Sequence, residues 1–399
     1  SGRGQRLARQ GLIVAEVALA LALLAVAGVM IRGFDAMLRK DAGWDTGRVL
    51  IANIHLPEQS TYETEDKRRT AIETLERRLA AIPGAERTAI CTTPPLFGYS
   101  RTGPIQVEGQ TSEDPVNQPT AGYIMVGAGF FDTMGIPLRE GRLFPADLRA
   151  GSPPVIVIGE SLARKFWPND SAVGKRIGDR EKGEVVFREV IGVVRDISFP
   201  LNFANPDTVL QIYKPLVQEP WGYLHVLVRG PAPASFKQEV RRAVAELDPD
   251  VAVQSLLTVS EASDRYQHNI VVINNTLGGF ALLGLVLAAV GLYGVISNLV
   301  AQRTAEFGIR LALGANARDV LGLVLATGVK LTVLGLVAGA GLAYALIRLV
   351  GSEMPRMATA DPATLGLVVF VLLAVALFAC YWPARRATKV DPVVALRAE

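Results

Sequence analysis

Four long apolar runs constrain this chain more than any other feature, because a run of roughly 20 such residues can cross the roughly 30 Å of hydrocarbon in a bilayer as a helix. The first run, Gly11 to Ile31, carries only Glu16 as a charge. A cleavable signal peptide would have a shorter apolar region of about 7 to 15 residues and a small-residue cleavage site, whereas this run continues to Met30 and Ile31 and then meets Arg32. The other runs are read at about Leu277 to Val300, within Val320 to Val350 (effectively 328–350), and at about Ala363 to Trp382. They are apolar on every face, unlike the one-sided stripe of a surface helix.

The chain of 399 residues is 50% hydrophobic, and that excess is concentrated at its two ends. Residues 32–270 have the charged, Pro- and Gly-punctuated texture of a water-exposed domain. The expected fold is therefore a membrane protein of four transmembrane α-helices, with a large α+β extracytoplasmic domain between the first and second. Residues 1–10 form a basic N-terminus, 11–31 the first span, 271–383 the remaining spans, and 384–399 a tail.

Orientation follows from the basic residues that flank the spans. Arg3, Arg6 and Arg9 precede the first; Arg303, Arg310 and Arg318 lie in the 301–319 link between the second and third; Arg385, Arg386, Lys389 and Arg397 follow the fourth. These segments are expected in the cytoplasm and the 32–270 domain outside. Two ionisable residues, Glu16 and Lys330, lie within the runs. A proton or ion relay is one reading; snorkelling to a nearby interface, with span three starting effectively at about Lys330, is the simpler one. Small residues recur at helical spacing, Gly284, Ala288, Gly291 and Gly294 in the second span and Gly335, Gly339 and Ala343 in the third. Such spacing lets helix backbones approach closely, against each other or a second subunit.

In the inserted domain the period alternates between 2 and 3.6. Strands are expected at 49–56, 155–158, 185–194 and 223–228, and helices at 65–82, 161–167, 235–247 and 260–268, the last running straight into span two.

Several chemistries are excluded. A net charge of +3 and the lack of a basic, aromatic-interleaved run argue against nucleic acid as a partner. His55, His225 and His268 are scattered, so no metal site is expected. Cys91 and Cys380 lie in different environments, so no disulfide is expected. Gly159-Glu160-Ser161-Leu162-Ala163 imitates a nucleophile elbow but ends in Ala, and an N-cap role for Ser161 explains it more simply. There is no phosphate-binding Gly-x-x-x-x-Gly-Lys-Ser/Thr motif, so no cofactor and no ATP hydrolysis by this chain are expected.

The most informative run is Ala301-Gln302-Arg303-Thr304-Ala305-Glu306-Phe307-Gly308-Ile309-Arg310-Leu311-Ala312-Leu313-Gly314-Ala315. Glu306 and Arg310 form an i, i+4 pair, Phe307 and Leu311 an apolar one, and Gly314 suits a helix stop. A short amphipathic helix at the membrane surface is expected.

This run resembles the link after the second span of FtsX/MacB-type ABC transporter permeases, and the ending Pro383-Ala384-Arg385-Arg386-Ala387-Thr388-Lys389-Val390-Asp391-Pro392 resembles that family's C-terminal signature. Phe130-Phe131-Asp132-Thr133-Met134-Gly135-Ile136-Pro137, Gly174-Lys175-Arg176-Ile177 and Ile191-Gly192-Val193-Val194-Arg195-Asp196 are similar to the MacB-like periplasmic core domain. The likeness extends over nearly the whole chain and is nearest to one half of the acidobacterial-type duplicated permeases, with this chain as the second unit. It implies a non-catalytic permease in a bacterial inner membrane, working with a cytoplasmic ABC ATPase, a second permease unit (homodimer or the other half of a duplicated chain), membrane lipid and a periplasmic export partner. It also implies that Arg303, Glu306, Phe307, Gly308, Arg310, Leu313 and Gly314 couple to the ATPase, whose closure would move the outer domain for export or efflux. The alternative within the family is a transmembrane regulator of a cell-wall hydrolase.

Overall fold

The computed structural model describes residues 2–39, 43–45, 47–57, 61–96, 98–109, 118–181, 184–199, 210–303, 306–307, 309–310, 316–353 and 362–387. They form two compact units: Leu38–His268, and Ser1–Met37 together with Asn269–Glu399.

The first of these is β-rich. Eleven strands, β1 (Val49–His55), β2 (Arg87–Cys91), β3 (Arg101–Val107), β4 (Thr120–Val126), β5 (Leu138–Gly141), β6 (Val155–Gly159), β7 (Arg176–Glu181), β8 (Glu184–Val194), β9 (Leu210–Pro215), β10 (Tyr223–Arg229) and β11 (Val253–Thr258), join one hydrogen-bonded network. Its pairings define two regions. The order β11-β1-β10-β2 is an open antiparallel sheet. From β4 the pairing runs through β3, β7, β8, β6 and β9 and returns to β4 by a parallel ladder from Ala121↔Leu210 to Val126↔Pro215, so six strands close on themselves. Closure leaves no free edge within that ring. The regions meet at a single β2–β4 pairing, Cys91↔Val126.

Helix α2 (Glu65–Ala80) packs on the open sheet because its local signals agree with its buried stripe. Thr64 caps it by accepting a hydrogen bond from the Lys67 amide at 3.3 Å, Glu65 and Asp66 lie in its first turn and Arg77 and Arg78 in its last. Ala71, Ile72, Leu75 and Leu79 recur at helical spacing and are buried together with Val240 and Val244 of α5 (Lys237–Leu247). Two shorter helices, α3 (Phe130–Met134) and α4 (Glu160–Phe166), complete this unit. Phe130, Phe131 and Met134 of α3 are fully buried, and Gly135 ends the helix in the left-handed conformation at φ 65°.

The ring of strands is filled mainly by apolar side chains, including Ile156, Ile177, Val190 and Ile212, but also holds charge. Asp179 accepts from Arg101 at 2.8 Å, Arg188 at 2.9 Å and Lys214 at 2.8 Å, and Lys214 also donates to Glu219 at 2.8 Å. The Tyr123 ring lies beneath Arg101 and Lys214, 4.8 and 5.0 Å from its centroid.

The second unit consists of long helices: α1 (Gly2–Arg39), α6 (Val259–Gln302), α7 (Ala317–Glu353) and α8 (Pro362–Ala387). The division between the units falls inside α6, so the helix expected at 260–268 and span two are one element. Among the described residues four segments are long and apolar enough to cross a membrane: Gln10–Gly33, Val271–Gln302, Arg318–Ser352 and Leu365–Arg385. Large apolar side chains point outward from them, with Val337 70% and Phe378 77% exposed, which suits contact with lipid rather than water. Inside, Val17 and Leu21 of α1, Leu292 and Ile296 of α6, Val324 and Leu331 of α7 and Leu372 and Cys380 of α8 form one apolar cluster.

Candidate functional site: the link and the helix notches

Backbone hydrogen bonds continue past Gln302 among the described residues. The Arg303 amide donates to both Leu299 and Val300 carbonyls at 3.2 Å, and the Phe307 amide donates to the Arg303 carbonyl at 3.0 Å. This places Arg303, Glu306 and Arg310 on one side. Glu306 lies 3.8 Å from Arg303 Nε and accepts a hydrogen bond from Arg310 at 2.6 Å, with all three side chains substantially exposed. Such exposed pairs contribute only about 0.3–0.5 kcal/mol each, so fold stability does not account for their presence. Phe307 does the opposite. Its ring is 1% exposed and joins the apolar cluster beside Val300 of α6 and Val320 of α7. The segment thus presents a charged face outward while one aromatic anchor fixes it in the bundle. Gly308, Leu313 and Gly314 lie outside the described residues.

The start of α7 has its own cap. Asp319 Oδ2 accepts from the Asn316 amide at 3.1 Å, and the Asp319 amide donates to the Asn316 carbonyl at 2.9 Å. Sequence reasoning passed over this pair, although an Asn followed three residues later by an acid is a readable start signal.

Gly284, Gly291, Gly335 and Gly339 face α1, whereas a Cβ at Gly294 would meet nothing within 4 Å. A Cβ at Gly335 would lie 2.7 Å from the Val17 side chain, one at Gly339 2.8 Å from the Ala18 carbonyl oxygen, and one at Gly284 3.7 Å from Ala20. At Gly291 it would lie 2.5 Å from Glu16 Oε2, so the missing side chain leaves room for that carboxylate, whose Oε2 has no hydrogen-bond partner among the described residues. Ala343 is buried with Ala22 and Ala25. Gly328, absent from the sequence-based selection, sits against Cys380 of α8 in the same way.

In the β-rich unit the segments 139–142, 159–164 and 190–196 converge. The Arg142 amide donates to Ile191 at 2.8 Å, and a Cβ on Gly192 would collide with the Arg142 carbonyl. Ser161 is not an N-cap: α4 begins at Glu160, its cap position is Gly159, and the Ser161 amide donates to Asp196 Oδ2 at 2.9 Å. The carboxylate that serves the helix start comes from the end of β8, and Gly159 leaves it room, since a Cβ there would meet Asp196 Oδ1. Burial raises the Asp196 pKa against the lowering hydrogen bonds from Ser161. Two of the three histidine rings are engaged elsewhere, His55 stacked on Tyr223 and His225 Nδ1 3.0 Å from the Thr92 carbonyl oxygen, and His268 is exposed. No group of metal-ligating side chains occurs among the described residues.

A bundle of four spans with a β-rich domain inserted between the first and second defines a multi-pass membrane protein. Residues 11–267 match the family model of the MacB-like periplasmic core domain, and residues 278–392 that of the FtsX-like permease C-terminal region. The chain belongs to the FtsX/MacB-type family of ABC transporter permeases.

Among curated relatives it is 26% identical to the macrolide export ATP-binding/permease protein MacB of Bradyrhizobium diazoefficiens, with 69% of this chain and 43% of the relative covered. It is 28% identical to the uncharacterized ABC transporter permease YvrN of Bacillus subtilis, with 68% of each covered. Against the pyoverdine export ATP-binding/permease protein PvdT of Pseudomonas syringae pv. tomato the identity is 28%, covering 66% and 40%. The match thus spans about two fifths of the MacB and PvdT proteins. Among solved structures, the periplasmic region of MacB from Actinobacillus actinomycetemcomitans aligns with 58% of this chain and 98% of its own at 15% identity and a TM-score of 0.37.

Proposed function

We propose that this chain is the permease subunit of an exporter whose ATPase is a separate cytoplasmic protein, and that it acts by transmitting motion rather than by catalysis. The observation that carries the reading is the link. Exposed Arg303, Glu306 and Arg310 offer a charged docking face, and Phe307, buried beneath them, anchors that face to the spans. A displacement applied there is delivered to packed helices, which move as rods because interiors are close-packed and resist compression. Helix α6 runs unbroken from Val259 to Gln302, so the same element that meets the link also begins next to β11 of the β-rich unit. In this reading the bundle lies in a bacterial inner membrane, the 301–319 link faces the cytoplasm and the β-rich unit lies outside. Names of relatives that export a macrolide or pyoverdine support export as the task and leave the substrate of this chain to experiment.

The test uses the full chain with its ATPase, reconstituted in vesicles. Glu306→Ala combined with Arg310→Ala is expected to leave the chain folded while lowering permease-stimulated ATP hydrolysis at least about tenfold, the effect of losing roughly 1.4 kcal/mol of coupling. Unchanged stimulation would remove the docking role from this face.

A further inference from the structure

Beside the notch that seats α1, the helix bundle holds an open groove of about 670 Å³, within the roughly 300–1,000 Å³ range of small-molecule sites. Its walls are apolar: Leu21 and Ala25 of α1, Ala343 and Ile347 of α7, Leu365 and Val369 of α8. One end differs. Tyr344, Arg348 and Ser352 lie there, on the last turns of α7 at the end away from the link. Arg348 lies four residues, or about 6 Å, from the end of the apolar helix segment at Ser352, which suits a guanidinium at headgroup depth beside apolar walls that suit acyl chains. Arg348 makes no hydrogen bond or ion pair among the described residues, and an arginine near the headgroups is attracted to anionic lipid.

We propose that this groove is a binding site for an anionic phospholipid, with its phosphate held by Arg348 and an acyl chain lying along α1, α7 and α8. Charge decides the occupant: a zwitterionic lipid would fill the apolar walls equally well but would gain less at the cationic end. One arginine near such a headgroup corresponds to about a fivefold preference.

The experiment delipidates the full chain in detergent, offers equal amounts of phosphatidylglycerol and phosphatidylcholine of matched chains, and counts retained lipid by native mass spectrometry. Wild type is expected to retain phosphatidylglycerol about fivefold over phosphatidylcholine. Arg348→Gln abolishes that preference, Arg348→Lys keeps most of it, and Ile347→Trp, which fills the groove, lowers retention of both lipids. Neither position belongs to the buried cluster of the bundle, and an unchanged thermal midpoint verifies the fold. Equal retention of the two lipids by wild type overturns the proposal, as does a preference that survives Arg348→Gln, or displacement by millimolar inorganic phosphate alone. A benzophenone on Tyr344→Cys is expected to form lipid adducts; adducts to a second copy of the chain would assign the groove to a subunit interface instead. Both native thiols, Cys91 and Cys380, are buried and do not compete for the label.

Discussion

Burial in the β-rich unit alters the ionisation of single side chains that in sequence look like ordinary titratable residues. Glu76 of α2 packs against Gly127, where a Cβ would collide with its Oε1, and burial, with a smaller contribution from Glu73, pushes its pKa up to about 7. The unfolded chain releases that proton near 4.5, so between those values the folded state holds more protons and stability falls as pH rises. His225 has the opposite sign. Its burial pushes the imidazole down to about 4, the folded state binds fewer protons below 6.5, and stability falls as pH drops through that window. Glu76→Gln is therefore expected to remove a stabilisation on acidification from pH 7.5 to 5.5, of the order of 1–3 kcal/mol, and leave the loss due to His225 in view. Thermal midpoints of the full chain across this range check it; parallel curves for wild type and variant would refute the assignment. Asp179 teaches the same lesson without titration. Its side chain is 6% exposed and shared by three cations, and only closure of the strand ring brings Arg101, Arg188 and Lys214 to it.

Among elements, α1 depends on what its neighbours lack. Gly335 and Gly339 leave no space for a side chain where α1 crosses, whereas a Cβ on Gly341, on the same helix, would meet nothing within 4 Å. Gly339→Leu is expected to destabilise the bundle by about 1–3 kcal/mol through overpacking, and Gly341→Leu to be near neutral. Thermal unfolding of both variants in one detergent distinguishes the cases, and equal midpoints would show that α1 does not rely on the notch. The strands differ in how readable they are. Val49–His55 opens with four consecutive apolar residues and stands out, while Arg101–Val107 contains Gly103-Pro104 and polar residues and reads as a loop. It is a strand because β4 and β7 supply partners on both sides.

For the whole molecule, the proposed orientation makes a direct prediction. Cysteines introduced at Gln302 and at Glu65, both on described exposed surface, should react with a membrane-impermeant maleimide from opposite faces of sealed vesicles. Labelling of both from one face would contradict an odd number of crossings between them and with it the route from link to outer domain. The groove ending at Arg348 belongs to this scale too. In sequence Arg348 merges with the flank of an apolar run, and only the packing of α1, α7 and α8 turns it into the charged end of a cavity.

The chain's membrane class, its four spans, the inserted domain and the family were legible along the sequence, because they rest on local hydropathy, on periodicity and on motifs of neighbouring residues. Tertiary structure alone decided the rest. The closed ring of six strands, the Asp179 cluster, the Asp196 carboxylate at the start of α4 and the fit of Glu16 against Gly291 each join residues far apart in the chain. Local propensity is silent about such pairs, since what fixes them is which surfaces remain to be covered once the elements exist.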